Sequence, residues 1–62
     1  MNIAILRKRA GLTQKALAAA MDVTDAAVAQ WETGAAMPVS AKLPKLAAVL
    51  GCTIDDLFKK EA

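Results

Sequence analysis

The chain reads as all-α, a compact five-helix bundle, and three observations predict that class. Apolar residues make up 56% of the 62, and alanine supplies much of that share. Alanine has the highest helix propensity because its side chain loses no rotamer freedom on ordering. Apolar positions recur at spacings of three and four, and no β-branched alternation runs long enough for a strand. Helix punctuation recurs as well. Thr13, Thr24 and Thr53 stand where N-caps belong, and Gly11, Gly34 and Gly51 stand where helices must stop.

Each element follows from local residues. The first helix is predicted from about Asn2 to Ala10, with Ile3, Leu6 and Ala10 on one stripe and Gly11 as the stop. Thr13 caps the second through its hydroxyl, which satisfies a free backbone N–H of the first turn. Leu17, Ala18 and Met21 form its inward face. Asp22 sits where that helix must end, a place for a left-handed backbone that Gly adopts best and Asp tolerates. Thr24 caps the third helix, Asp25 to about Glu32, whose Val28 and Trp31 face the core at i, i+3. Asp25, Ala26, Ala29 and Gln30 fall on its outer side, and Gly34 ends it. Ala35 to Leu43 reads as loop because Pro38 forbids a continuous helix and Ser40 adds turn character. Pro44 suits the first position of a fourth helix running to Leu50 and stopping at Gly51, with Leu43, Leu46, Ala47 and Leu50 inward. Thr53 followed by Asp56 is a capping-box pattern that opens a fifth helix, Ile54 to about Lys60, with Leu57 inward.

Size and composition narrow the function. A chain of 62 residues makes one domain at most, taken as 1–62. Such a chain hides only about 60% of its unfolded surface and leans on good packing or on assembly. Net charge is +2, with Arg7, Lys8, Arg9 and Lys15 crowded early and Asp22, Asp25 and Glu32 after them. Lys8 and Arg9 suit either a phosphate contact or a solvated helix end favoured by the helix dipole. Cys52 stands alone in a chain without His, so neither a disulfide nor a zinc site is expected, and it reads as a small buried hydrophobe. No apolar run approaches the roughly 18 residues of a membrane span and no signal peptide is visible, so a cytoplasmic location is the default expectation. Nothing resembles a catalytic constellation: there is no His, no nucleophile beside a base and no Gly-rich phosphate loop. The one adjacent carboxylate pair, Asp55–Asp56, is accounted for by the capping box. No enzyme activity, cofactor, metal or small-molecule ligand is expected.

Two short amphipathic helices joined by the break Met21-Asp22-Val23-Thr24 make a helix-turn-helix unit of about residues 13–32. In such a unit the first helix crosses a DNA backbone and the second enters the major groove. The wider pattern resembles the Cro/repressor-type, or XRE-like, helix-turn-helix family. It is carried by Leu6-Arg7, Gly11-Leu12-Thr13-Gln14, Leu17-Ala18, Val23-Thr24, Val28, Trp31-Glu32, Gly34, Pro38, Leu46-Ala47, Leu50-Gly51 and Asp55-Asp56-Leu57, in order over nearly the whole chain.

The resemblance implies a lambda-repressor-like bundle that binds the major groove of double-stranded DNA. It places Asp25, Ala26 and Gln30 at base-reading positions, flanked by Ala27 and Ala29. It places Gln14 and Thr24 on phosphate, with Lys15 beside them. It assigns the loop before the fourth helix, Ser40 through Lys42 to Leu43, to the opposite phosphates through backbone N–H groups. It also makes Arg7 and Glu32 a structural salt bridge tying the first helix to the end of the third.

The chain departs from the family pattern where affinity is usually made. Residues Val23 to Ala41 hold no basic side chain, and Ala26, Ala27 and Ala29 occupy much of the third helix. The electrostatic term that dominates non-specific affinity is therefore weak. Gln30 can pair with adenine, Asp25 can accept from cytosine, and an Ala methyl can pack on thymine. Asp25 equally suits the positive end of the helix dipole. The leading expectation is a sequence-specific transcriptional regulator, a repressor, acting as a homodimer on a palindromic operator with half-sites about 34–36 Å apart. Its dimer surface is expected on the fifth helix and tail, where Phe58 is either an exposed anchor or a core residue beside Leu57. The alternative is a protein-interaction or antitoxin-like module with the same fold and weak DNA binding.

Overall fold

The computed structural model describes residues 1–59. Among them are five α-helices, one turn of 3-10 helix and no strand: α1 Ile3–Arg9, α2 Gln14–Met21, α3 Asp25–Thr33, the 3-10 turn Ser40–Lys42, α4 Leu43–Leu50 and α5 Ile54–Phe58. The all-α, five-helix architecture predicted from the sequence is the one found.

Side-chain caps start three of the helices. Thr13 Oγ1 accepts from the Ala16 N–H at 3.0 Å, and Thr24 Oγ1 accepts from the Ala27 N–H at 3.1 Å. Thr53 and Asp56 close a full capping box, each side chain accepting from the other's backbone N–H at 3.1 Å. The end of α2 is set by Asp22, the one non-glycine residue described at positive φ (φ 57°, ψ 46°). The left-handed residue turns the chain so that the Val23 N–H reaches back to the Ala18 carbonyl at 3.0 Å and the Asp22 N–H to that of Ala19 at 3.3 Å. This pairing satisfies carbonyls that the helix end would otherwise orphan. The same short link carries the chain from α2 into α3, which packs on it.

The core draws on every helix. Ile3 and Leu6 come from α1, Leu17, Ala18 and Met21 from α2, Val28 and Trp31 from α3, Leu46, Ala47 and Leu50 from α4, and Leu57 from α5. Helix α2 packs on both α3 and α4, α1 packs on α3, and α4 packs on α5. Removing a large aliphatic side chain of this kind from water contributes about 1.5–3 kcal/mol. Ile3, Leu17, Met21, Val28, Leu46 and Leu57 are fully buried, so the two helices of the turn unit are held by their inner faces and their outer faces are left for other use. The N-terminus is tied in by the Asn2 N–H, which donates to the Leu57 carbonyl at 3.2 Å.

Several boundaries differ from the sequence expectation; α1 starts at Ile3 and α3 runs on to Thr33, each one residue off. Helix α1 stops at Arg9, and Ala10 is an exposed cap residue in the turn, so the inward stripe is Ile3 and Leu6 alone. The segment read as loop up to Leu43 winds into a 3-10 turn at Ser40 that runs straight into α4. That helix begins at Leu43, with Pro44 in its first turn, where a missing N–H breaks no bond. Leu43 is half-buried at the edge of the core, while Pro38 is buried. Helix α5 ends at Phe58, and Lys59 is extended (φ −68°, ψ 140°). The predicted end at Lys60 lies outside the described residues.

Candidate nucleic-acid interface

The surface in question is built from the N-terminus of α2, the outer face of α3 and the turn before α4. Backbone N–H groups of a first helical turn have no intrahelical acceptor and favour an anion. Thr24 accepts the Ala27 N–H through its oxygen and still has a hydroxyl proton to donate, and its side chain is exposed. Lys15 is exposed on the first turn of α2.

The outer face of α3 is open. Asp25, Ala26 and Gln30 are exposed, and no other described part of the chain covers them. Ala27 and Ala29 are half-buried at the margins, which corrects the assignment of Ala29 to the outer side. At i, i+4, Gln30 lies one turn beyond Ala26 on the same face of α3, and Asp25, the first residue of the helix, borders that face. The three exposed side chains supply one amide, one carboxylate and one methyl: a donor–acceptor pair suited to adenine, an acceptor suited to cytosine and an apolar contact suited to thymine.

The turn before α4 is less open than a loop would be. The Lys42 N–H is bonded to the Val39 carbonyl at 2.9 Å and the Leu43 N–H to that of Ser40. The expectation that Ser40 to Leu43 all offer backbone N–H groups therefore narrows to Ser40 and Ala41, at the start of the turn. The Ser40 side chain is exposed and Lys42 is half-buried.

Behind this surface the structure brings Arg7 and Glu32 together. Arg7 Nε donates to Glu32 Oε2 at 2.6 Å, and the two side chains are 11% and 9% exposed. Arg7 Nη1 donates to the Leu12 carbonyl at 2.8 Å, which ties the pair to the chain entering α2. Burial alone would raise the Glu32 pKa. Hydrogen bonds from Arg7 and Gln14, with the charges of Arg7 and Lys8, outweigh it and hold the carboxyl below its ordinary value of 4.5. Arg7 Nε and Nη1 are thus both engaged within the fold. Sequence reasoning missed one member of the cluster: Gln14 Nε2 donates to Glu32 Oε1 at 2.8 Å. Nothing in a separation of 18 residues signals that contact.

A helix-turn-helix family model, of Cro/C1 or XRE-like type, matches residues 3–57. The chain belongs to this family. The match runs from the start of α1 into α5, so the whole bundle is a helix-turn-helix domain of the type found in DNA-binding transcription regulators. No characterised protein and no solved structure matches it. No described helix is long and apolar enough to cross a membrane.

Proposed function

We propose that this helix-turn-helix protein is a sequence-specific transcriptional repressor that binds a palindromic operator as a homodimer in the cytoplasm. One observation carries the reading. The outer face of α3 is uncovered and offers Asp25, Ala26 and Gln30 at its surface, while the inner face, Val28 and Trp31, is spent on the core. Asp25, Ala26 and Gln30 read bases, and Gln14, Lys15, Thr24, Ser40 and Lys42 contact phosphates. A single module reading through one Gln gains about 1–3 kcal/mol of discrimination, and two-fold pairing doubles it. An α5 that exposes Phe58 at 53% and Ile54 at 40% supports a dimer surface there.

Selection of bound sites from a random duplex pool tests the whole reading. A palindromic motif is the expected result, and Gln30→Ala is expected to relax preference at one base pair of each half-site. Recovery of no motif would leave the alternative, a protein-interaction or antitoxin-like module. That second reading is favoured by the loop after α3, where Met37 and Val39 are 62% and 60% exposed and no basic side chain stands between Val23 and Ala41.

A further inference from the structure

The carboxylate of Glu32, near the end of α3, is shared by donors from two other parts of the fold. Oε2 accepts from Arg7 Nε at 2.6 Å, while Oε1 accepts from Gln14 Nε2 at 2.8 Å and from Arg7 Nη2 at 3.4 Å. A carboxylate only accepts, so this contact decides which end of the Gln14 amide faces inward: the NH2. One of its two N–H groups is used by Glu32, and the other lies in the same plane. Gln14 is the first residue of α2 and half-buried, and its side chain has no second hydrogen bond among the described residues. Arg7 also holds the Leu12 carbonyl, two residues earlier, so backbone and side chain at this helix start are fixed by one cluster.

The geometry points to Glu32 as a positioning residue for DNA binding: its carboxylate, itself held by Arg7, orients the Gln14 amide so that the remaining N–H meets a DNA phosphate. The inference rests on the reading of Gln14 as a phosphate contact. The physical gain is preorganisation. A glutamine free on a helix surface must give up rotamer freedom to make that contact, whereas one already bonded to the part-buried Glu32 carboxylate has less to lose. Hydrogen bonds with a charged partner are also the stronger kind.

Phosphate contacts are independent of sequence, so a mixed-sequence synthetic duplex at low salt is a sufficient probe, with affinity read by fluorescence anisotropy. Gln14→Ala is expected to weaken binding about tenfold in the native protein. In an Arg7→Met, Glu32→Leu background, where the acceptor is gone and an apolar pair replaces the ions, the same change is expected to cost less than about twofold. Equal losses in both backgrounds would overturn the positioning role, because a purely structural Glu32 would lower stability without making the Gln14 effect depend on background. No loss from Gln14→Ala in the native protein would instead remove the phosphate role of Gln14, and the proposal with it. The side-chain amide protons of Gln14 give a check that needs no variant. One is expected to be protected from exchange in the free protein while its partner shifts when duplex is added. Two freely exchanging protons would overturn the proposal.

Discussion

At the scale of single residues the molecule depends most on Arg7 and Glu32. Both are nearly out of water, and Arg7 divides its donors between a carboxylate and the Leu12 carbonyl. Truncating one partner of such a pair costs about 3–5 kcal/mol because the other charge is left buried and unpaired. A chain of this length commands only about 0.05–0.15 kcal/mol of stability per residue. Arg7→Ala is therefore expected to be largely unfolded by circular dichroism near body temperature, with DNA binding lost in parallel. A variant that melts like the native protein yet fails to bind would make Arg7 a DNA contact instead.

Acid should act on the same pair. The native pKa of Glu32 lies below its unfolded value, so its contribution to stability is present above about pH 4.5 and is lost as pH falls through the depressed native value. Asp56 behaves alike. The Thr53 backbone N–H, with Lys59 and the Thr53 hydroxyl, lowers its pKa from 3.8 to about 2. A series of Tm against pH is expected to be flat from neutral pH down to about 5 and to fall below that. Glu32→Gln should show a lower plateau and a shallower acid limb, and an unchanged limb would place the acid sensitivity elsewhere.

At the scale of elements, caps and stops account for where the helices lie, and these were the most legible parts of the sequence. Thr13, Thr24, Thr53, Asp22 and Gly34 each have a local physical reason to be where they are, and each stands at the boundary it implies. Where boundaries were misplaced, the marker was present but off by a residue or two, as with Gly11 and Pro44, or, for the 3-10 turn, there was none. Ser40–Lys42 winds into a 3-10 turn that leads directly into α4, which buries Leu46 and Ala47, and Pro38 and Ser40 do not announce that turn. Asp22 shows the converse, a stop that works at a cost. Its left-handed backbone is strained for a residue with a Cβ, and its charge faces the negative end of α2. Asp22→Gly removes both penalties but frees the unfolded chain, for a net gain of about 0.5–1 kcal/mol. A thermal melt is expected to shift upward by a few degrees. A fall in Tm would mean that the Asp22 side chain stabilises the turn in a way its backbone geometry does not reveal.

At the scale of the whole molecule, the bundle uses every helix to bury one core and leaves one helix face, that of α3, with side chains suited to base edges. The position of that face was readable in the chain, because Val28 and Trp31 at i, i+3 fix which side is buried and hence which is not. The Arg7–Glu32 pairing was readable only through the family resemblance. The inclusion of Gln14 was not readable at all, since it depends on how α2 and α3 cross. The charge pattern is unusual for a DNA-binding domain, with Asp22 just before α3, Asp25 at its start and no basic side chain from Val23 to Ala41. On the proposed reading, affinity comes from a few well-placed contacts and from pairing of subunits rather than from a strong field. Mapping backbone amide shifts as duplex DNA is added at low salt asks directly whether α3 is the reading element. Shifts are predicted to concentrate on Thr13 to Ala16, Thr24 to Gln30 and Ser40 to Leu43, leaving α5 little changed. Binding that leaves α2 and α3 unperturbed, or shifts confined to α5 and the Met37–Val39 loop, would contradict the account.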